Sequence, residues 1–147
     1  MTKKLKTLSY DDLWAFMLTN LGKSIKNIPS DEEEIYRIIA GAIDNYNTEC
    51  NDDEEPLIYN EFTETITLQT SDSKVATIKK RILALYIKLT ILQCDLEFFQ
   101  EVYQYDIKEV KSKFYKNQVD SRELTLSQTR KKIQELFSYL DTGDVMS

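Results

Sequence analysis

The side chains able to do chemistry here are few and poorly spaced for it. Cys50 and Cys94 are the only cysteines and there is no histidine at all. A cysteine nucleophile needs a base to take its proton, usually an imidazole, and none is present. The same absence removes the commonest metal ligand and the usual pH switch. Three widely separated glycines, Gly22, Gly41 and Gly143, rule out a phosphate-cradling loop of the Gly-x-x-x-x-Gly-Lys type. The run Asp52, Asp53, Glu54, Glu55 invites comparison with a calcium loop. A register beginning at Asn45 supplies Asn47 and Glu49, but puts Cys50 at the sixth position, where glycine is required, and Pro56 in place of the closing glutamate. Two basic triplets, Lys79-Lys80-Arg81 and Arg130-Lys131-Lys132, together with nine tyrosines, raise nucleic-acid binding as a minor alternative. Base stacking needs aromatics exposed among the cations, whereas Tyr86 and Tyr103 fall on apolar faces. These residues point to a non-enzymatic protein with no cofactor and no metal.

Charge is distributed more tellingly than its total of −6. Residues 31–64 carry twelve acids against Arg37 alone, whereas residues 74–132 carry thirteen bases against seven acids. A surface divided in this way favours head-to-tail contact between copies, and such contacts close into a ring where the rotation allows. Two solvated faces with no such role are the simpler alternative.

The elements that must carry these groups are mostly helices. From Leu57 to Thr142 there is no glycine or proline, so long helices with few sharp turns are expected. Within that stretch Val75, Ile78, Ile82, Leu85, Leu89, Leu92, Leu96, Phe99 and Tyr103 recur at steps of three and four. Leu83, Tyr86, Ile87 and Ile91 add apolar side chains on the other faces, which places this helix at the centre of a bundle. Ser9 with Asp12 marks the start of a first helix that stops near Gly22, and Lys23 to Pro29 reads as a linker. Ser30 with Glu33 marks a second helix, lined by Ile35, Ile38, Ile39, Ala42, Ile43 and Tyr46, in which Gly41 implies a closely packed neighbour. Asn117 to Ser121 is the expected break before a last helix capped near Thr125. Between the second helix and the long one, Phe62 to Thr70 alternates apolar and β-branched polar residues, as a strand does, and Leu57 to Tyr59 is a second short strand. Ser71 or Ser73 is the expected cap of the long helix.

The expected fold is therefore mainly α: a helical bundle with a long central helix and a small β-strand or hairpin insertion, in one domain of 147 residues. Residues 1–29 form the N-terminal helix and linker, 47–72 the acidic connector with its strand, and 141–147 a flexible tail. The basic start lacks the apolar run of a signal peptide, and no tract approaches the roughly 20 apolar residues that span a bilayer. A soluble protein made in a reducing cytosol is expected, without membrane contact.

The order of segments is similar to that of a known family. A helix opened by acids (Glu33-Glu-Ile-Tyr-Arg-Ile-Ile39, then Ala42-Ile-Asp-Asn-Tyr46) leads through a connector with a strand to a long helix containing Ile82-Leu-Ala-Leu-Tyr-Ile87. A shorter helix opening with Leu126-Ser-Gln128 and holding Arg130-Lys-Lys132 follows. Over residues 31–140 this resembles the head–tail connector adaptors of long-tailed bacteriophages, small helical-bundle proteins that form a ring beneath the portal. The resemblance implies a structural virion protein at the head–tail interface, made in the host cytoplasm and assembled with itself in about twelve copies. It implies contacts with the portal and with a tail-side connector protein, and a channel through which DNA passes without specific binding. No catalytic residue carries over. The stretches 1–30 and 95–124 are longer than the family leads one to expect. On this reading Phe62, Ile66 and Leu68 form a subunit contact, because the strand has no evident β partner in the chain and unpaired strands pair with other chains. Asp52, Asp53, Glu54 and Glu55 face the channel or a neighbour, and Asp144, Val145 and Met146 in the tail dock on the portal. The alternative is a small coiled-coil-type regulatory protein acting by helix-in-groove binding.

Overall fold

The computed structural model describes residues 4–21, 28–50, 55–103 and 109–142. In chain order these residues form β1 (Thr7–Ser9), α1 (Tyr10–Leu21), α2 (Glu32–Glu49), β2 (Ile58–Asn60), β3 (Thr65–Thr67), α3 (Ser73–Tyr103) and α4 (Glu109–Thr142). The protein is mainly α with a small three-stranded antiparallel sheet, as expected.

The first three helices each begin where a short polar side chain can take up free backbone N–H groups. Ser9 Oγ accepts from Asp12 N at 3.0 Å, as its spacing implied. The second cap is one residue later than expected: Asp31, not Ser30, accepts from Glu34 N at 3.3 Å. For α3 the cap is Asp72, whose Oδ1 accepts from Lys74 N at 2.8 Å and Val75 N at 3.2 Å, between the two serines that the sequence offered.

α3 is the core's axis. Its residues Ile82 to Ile87 are buried in succession and Leu89 and Ile91 follow, so every face of this stretch is covered. α1 (through Leu13 and Met17), α2 (through Ile38, Ile39, Ala42, Ile43 and Tyr46) and the far half of α4 (through Leu126, Ile133 and Phe137) close around it. Tyr46 and Tyr86 both pack on Phe137, with ring centroids 5.2 and 6.4 Å apart. Such edge and tilted arrangements suit the ring quadrupole.

α4 departs from expectation. No break occurs at Asn117 to Ser121; the helix runs 34 residues from Glu109 to Thr142. The segment's polar side chains find partners along the helix and across to α3. Arg122 Nη1 donates to Gln118 Oε1 at 2.9 Å, and Thr125, which looked like a cap, instead donates its hydroxyl back to Ser121 O at 3.1 Å. With no glycine or proline among them, these residues leave nothing to stop a helix.

The sheet differs from expectation more consequentially. β3 lies in the middle, paired with β2 through Tyr59↔Ile66 and with β1 through Leu8↔Ile66. β1 had no mark in the sequence beyond Thr7-Leu8-Ser9, three residues ahead of a helix. Its pairing extends past the strand ends, with Lys6 N donating to Thr70 O at 2.7 Å and Tyr10 N to Glu64 O at 2.9 Å. Lys79, buried on α3, donates its ammonium to Leu68 O at 2.9 Å and anchors the sheet's exit to the long helix. The connector's far end is clamped as well: Asn47 donates Nδ2 to Leu57 O at 3.0 Å and accepts from Leu57 N at 2.8 Å.

Candidate functional site

Among the described residues, three exposed features stand out beside the core. The first is the β2–β3 turn. Asn60 Oδ1 accepts from the backbone N–H of Phe62 at 2.9 Å and of Thr63 at 3.3 Å, an Asx turn that fixes the loop. Glu64 closes it with φ 55°, a left-handed backbone that a non-glycine residue holds only when its surroundings enforce it. At the apex Phe62 is 99% exposed. The tip is acidic. Glu61 and Glu64 flank Phe62 in the chain, and Tyr36 Oη donates to Glu32 Oε1 at 2.7 Å beside them. Hydrogen bonds to Glu32 and then Glu64 push the Tyr36 phenol above its ordinary range. Tyr10, which meets Tyr36 edge-on at 5.4 Å, is raised too, first by burial and then by Glu61.

The second is a groove beside the C-terminal half of α1. Two depressions of about 400 and 430 Å³ lie side by side between α3 and α4 and share Leu85, Lys132 and Glu135. Phe16 and Leu21 of α1 and Leu136 of α4 give the first an apolar lining, with Arg81 and Lys132 at its edge. Lys88, Lys131 and Lys132 make the second basic, opposed by Glu135 alone. Desolvation, then the like charge of Lys132, holds Lys88 below the ordinary lysine range. Among the described residues, no carboxylate lies within ion-pair distance of these cations. The spacing Arg81, Leu85, Lys88 on α3 and Gln128, Lys132, Glu135, Tyr139 on α4 puts each set on one helix face. That signal was legible in the sequence, but only once the two helices are known to be antiparallel neighbours.

The third is an arm. Beyond the core α3 and α4 continue together, held by Arg122, whose Nε donates to Asp95 Oδ2 at 3.1 Å and whose guanidinium lies 4.1 Å over the Phe99 ring. Phe99 in turn stacks on Tyr115 at 5.6 Å. Phe98, Val102, Phe114 and Leu124 remain largely exposed along it.

Residues 7–141, from β1 to the last turn of α4, match the YomZ prophage protein family. The chain belongs to that family. It is 27% identical over 128 residues to the SPbeta prophage-derived uncharacterized protein YomZ of Bacillus subtilis (strain 168), a match covering 87% of this chain and 92% of that one. No solved structure matches. Tip, groove and arm all fall inside the stretch shared with YomZ.

The residues singled out in the sequence divide sharply on this YomZ-family fold. Phe62 stands free at the hairpin tip, but Ile66 is fully buried and Leu68 is 3% exposed, both in the chain's own core. The argument that took them to a subunit contact is corrected by β1: the strand has partners on both edges and needs none from another chain. Glu55 is exposed, whereas Asp52, Asp53 and Glu54, like Asp144, Val145 and Met146, lie outside the described residues. Gly41 has no close neighbour; a Cβ there would meet nothing within 4 Å. Cys50 is half-buried and Cys94 exposed, and among the described residues no group of histidine, cysteine or carboxylate side chains is arranged to hold a metal. Among them too, no helix is long and apolar enough to cross a membrane.

Proposed function

We propose that this prophage-family protein is a head–tail connector adaptor: a structural component that assembles with itself between portal and tail and leaves a passage for DNA. The observation that carries the reading is Phe62, a fully exposed aromatic on a hairpin fixed by an Asx turn, in a helical chain of prophage family. A large apolar side chain presented to water on a fixed turn is a cost to a free monomer and an asset to an interface, where aromatic anchors dominate binding. The resemblance of segment order over residues 31–140 supports the same reading. The test is to place Phe62→Ser in a prophage that depends on the protein. Full heads and finished tails should accumulate unjoined, with the variant folded. If the wild-type protein is absent from purified particles, the adaptor role fails.

A second reading has its own support. The exposed apolar residues of the α3–α4 arm suit a helical interaction protein that pairs through coiled-coil-type contacts. A mass measurement separates the two. The adaptor gives a many-copy ring, alone or on a portal, and the regulator gives a stable dimer whose Phe114→Ser and Leu124→Ser variants are monomeric.

A further inference from the structure

We propose that the acidic hairpin tip of one copy docks into the basic α3–α4 groove of the next, with Phe62 entering between Leu85 and Leu136 and the flanking carboxylates meeting Arg81 and Lys132. The inference rests on the self-assembly part of the adaptor reading and assigns it two surfaces.

Four observations lead here. The tip presents one bare phenyl ring between Glu61 and Glu64, while the groove offers an apolar lining with cations at its edge. The two are complementary in chemistry: an aromatic ring flanked by two carboxylates faces an apolar lining in which Arg81 and Lys132 outnumber Glu135. Charge complementarity fixes partner and register, even where the ion pairs themselves add little affinity. The turn is already fixed by Asn60, so docking orders little backbone and loses little entropy. A copy cannot satisfy itself. The tip is bonded to Tyr10 at the start of α1, whereas Asn20 and Leu21 at its end line the groove, roughly 15 Å away along the helix. A knob and a groove at separate places on one molecule make a heterologous contact, which propagates to a ring or a filament. Finally, Lys88 in the adjoining depression is partly desolvated and lies close to the like charge of Lys132, and an incoming carboxylate relieves that crowding where another cation would worsen it.

The experiment uses the full-length protein at low ionic strength, with a benzophenone amino acid in place of Phe62. Because position 62 is fully exposed, the replacement leaves the fold intact, as circular dichroism will verify. On irradiation the cross-link should join two copies and map to peptides containing Leu85 or Leu136. Cross-links that map elsewhere on this chain, or none between copies, overturn the proposal. A second measurement mixes two defective proteins, Phe62→Ser and the double variant Arg81→Glu, Lys132→Glu. Each alone should self-associate at least tenfold more weakly than wild type. Mixed, they should form a one-to-one dimer, because one supplies an intact groove and the other an intact tip. A mixture that stays monomeric, or a Phe62→Ser protein that assembles like wild type, also overturns it. Failure of the adaptor reading would look different: the cross-link would form as described in a protein absent from phage particles.

Discussion

Burial sets the titration of individual side chains in this chain, and Tyr10 and Tyr86 display it best. Tyr86, inside the bundle, has its phenol pushed up to about 12 by burial, then by Glu49 and Cys50. The unfolded chain releases the same proton near the ordinary value of 10.0. Between the two the unfolded state binds fewer protons, so stability is complete below pH 10 and falls as pH rises through the folded value. Tyr10 and Tyr36 push the same way. Tyr86→Phe should flatten the decline, measured as melting temperature on either side of pH 10; an unchanged decline would place the alkaline sensitivity on other groups. Gly41 makes the opposite point. Its position in the middle of α2 suggested a tight contact, yet the space beside it is open. Gly41→Ala should therefore stabilise by about 0.5–1 kcal/mol through helix propensity alone, read from the urea midpoint. A lower midpoint would contradict that open space.

At the level of elements, the helices were legible because each is written in its own local pattern. The seam from Val75 to Tyr103 identified α3 as the axis, and Leu85 and Leu89 are buried there as expected. Leu89→Ala should cost roughly 2–5 kcal/mol, the range for a core leucine whose cavity cannot fully collapse, and chemical denaturation will measure it. Local pattern failed where partners distant in sequence decide the outcome. β1 is invisible because three residues carry no periodicity, and only pairing with Thr65–Thr67 makes them a strand. The supposed break at Asn117 to Ser121 failed for a related reason: its polar residues looked like a turn until Arg122 was seen reaching Asp95, 27 residues away. That guanidinium is the arm's clamp. Arg122→Ala should raise hydrogen exchange locally, at amides of residues 95–103 and 114–122, while those of Ile82 to Ile87 keep their protection. Uniformly faster exchange across both regions would mean that the arm and the core unfold as one unit.

For the whole molecule, the uneven charge read from the sequence acquires places. The acidic half includes the α2 start and the hairpin tip; the basic half includes the groove between α3 and α4. The spacing of the groove's residues on each helix is legible in the sequence, but the groove itself is not, since it exists only where two antiparallel helices and the end of α1 meet. Its charge makes a prediction that separates the two modes of assembly. Attraction between exposed charges is screened over about 10 Å at 0.1 M salt but only about 3 Å at 1 M. Contact between tip and groove should therefore weaken steadily as sodium chloride is raised, with the apolar seat of Phe62 keeping some of it. Association through Phe98, Val102, Phe114 and Leu124 on the arm should hold or strengthen over the same range, because burial of apolar surface does not depend on opposite charges. Sedimentation of the purified protein across that salt series decides between them. Species that dissociate with salt while the melting temperature holds point to the charged faces, and species indifferent to salt point to the arm. In the second case the hairpin tip would have to find its partner in a protein other than this one.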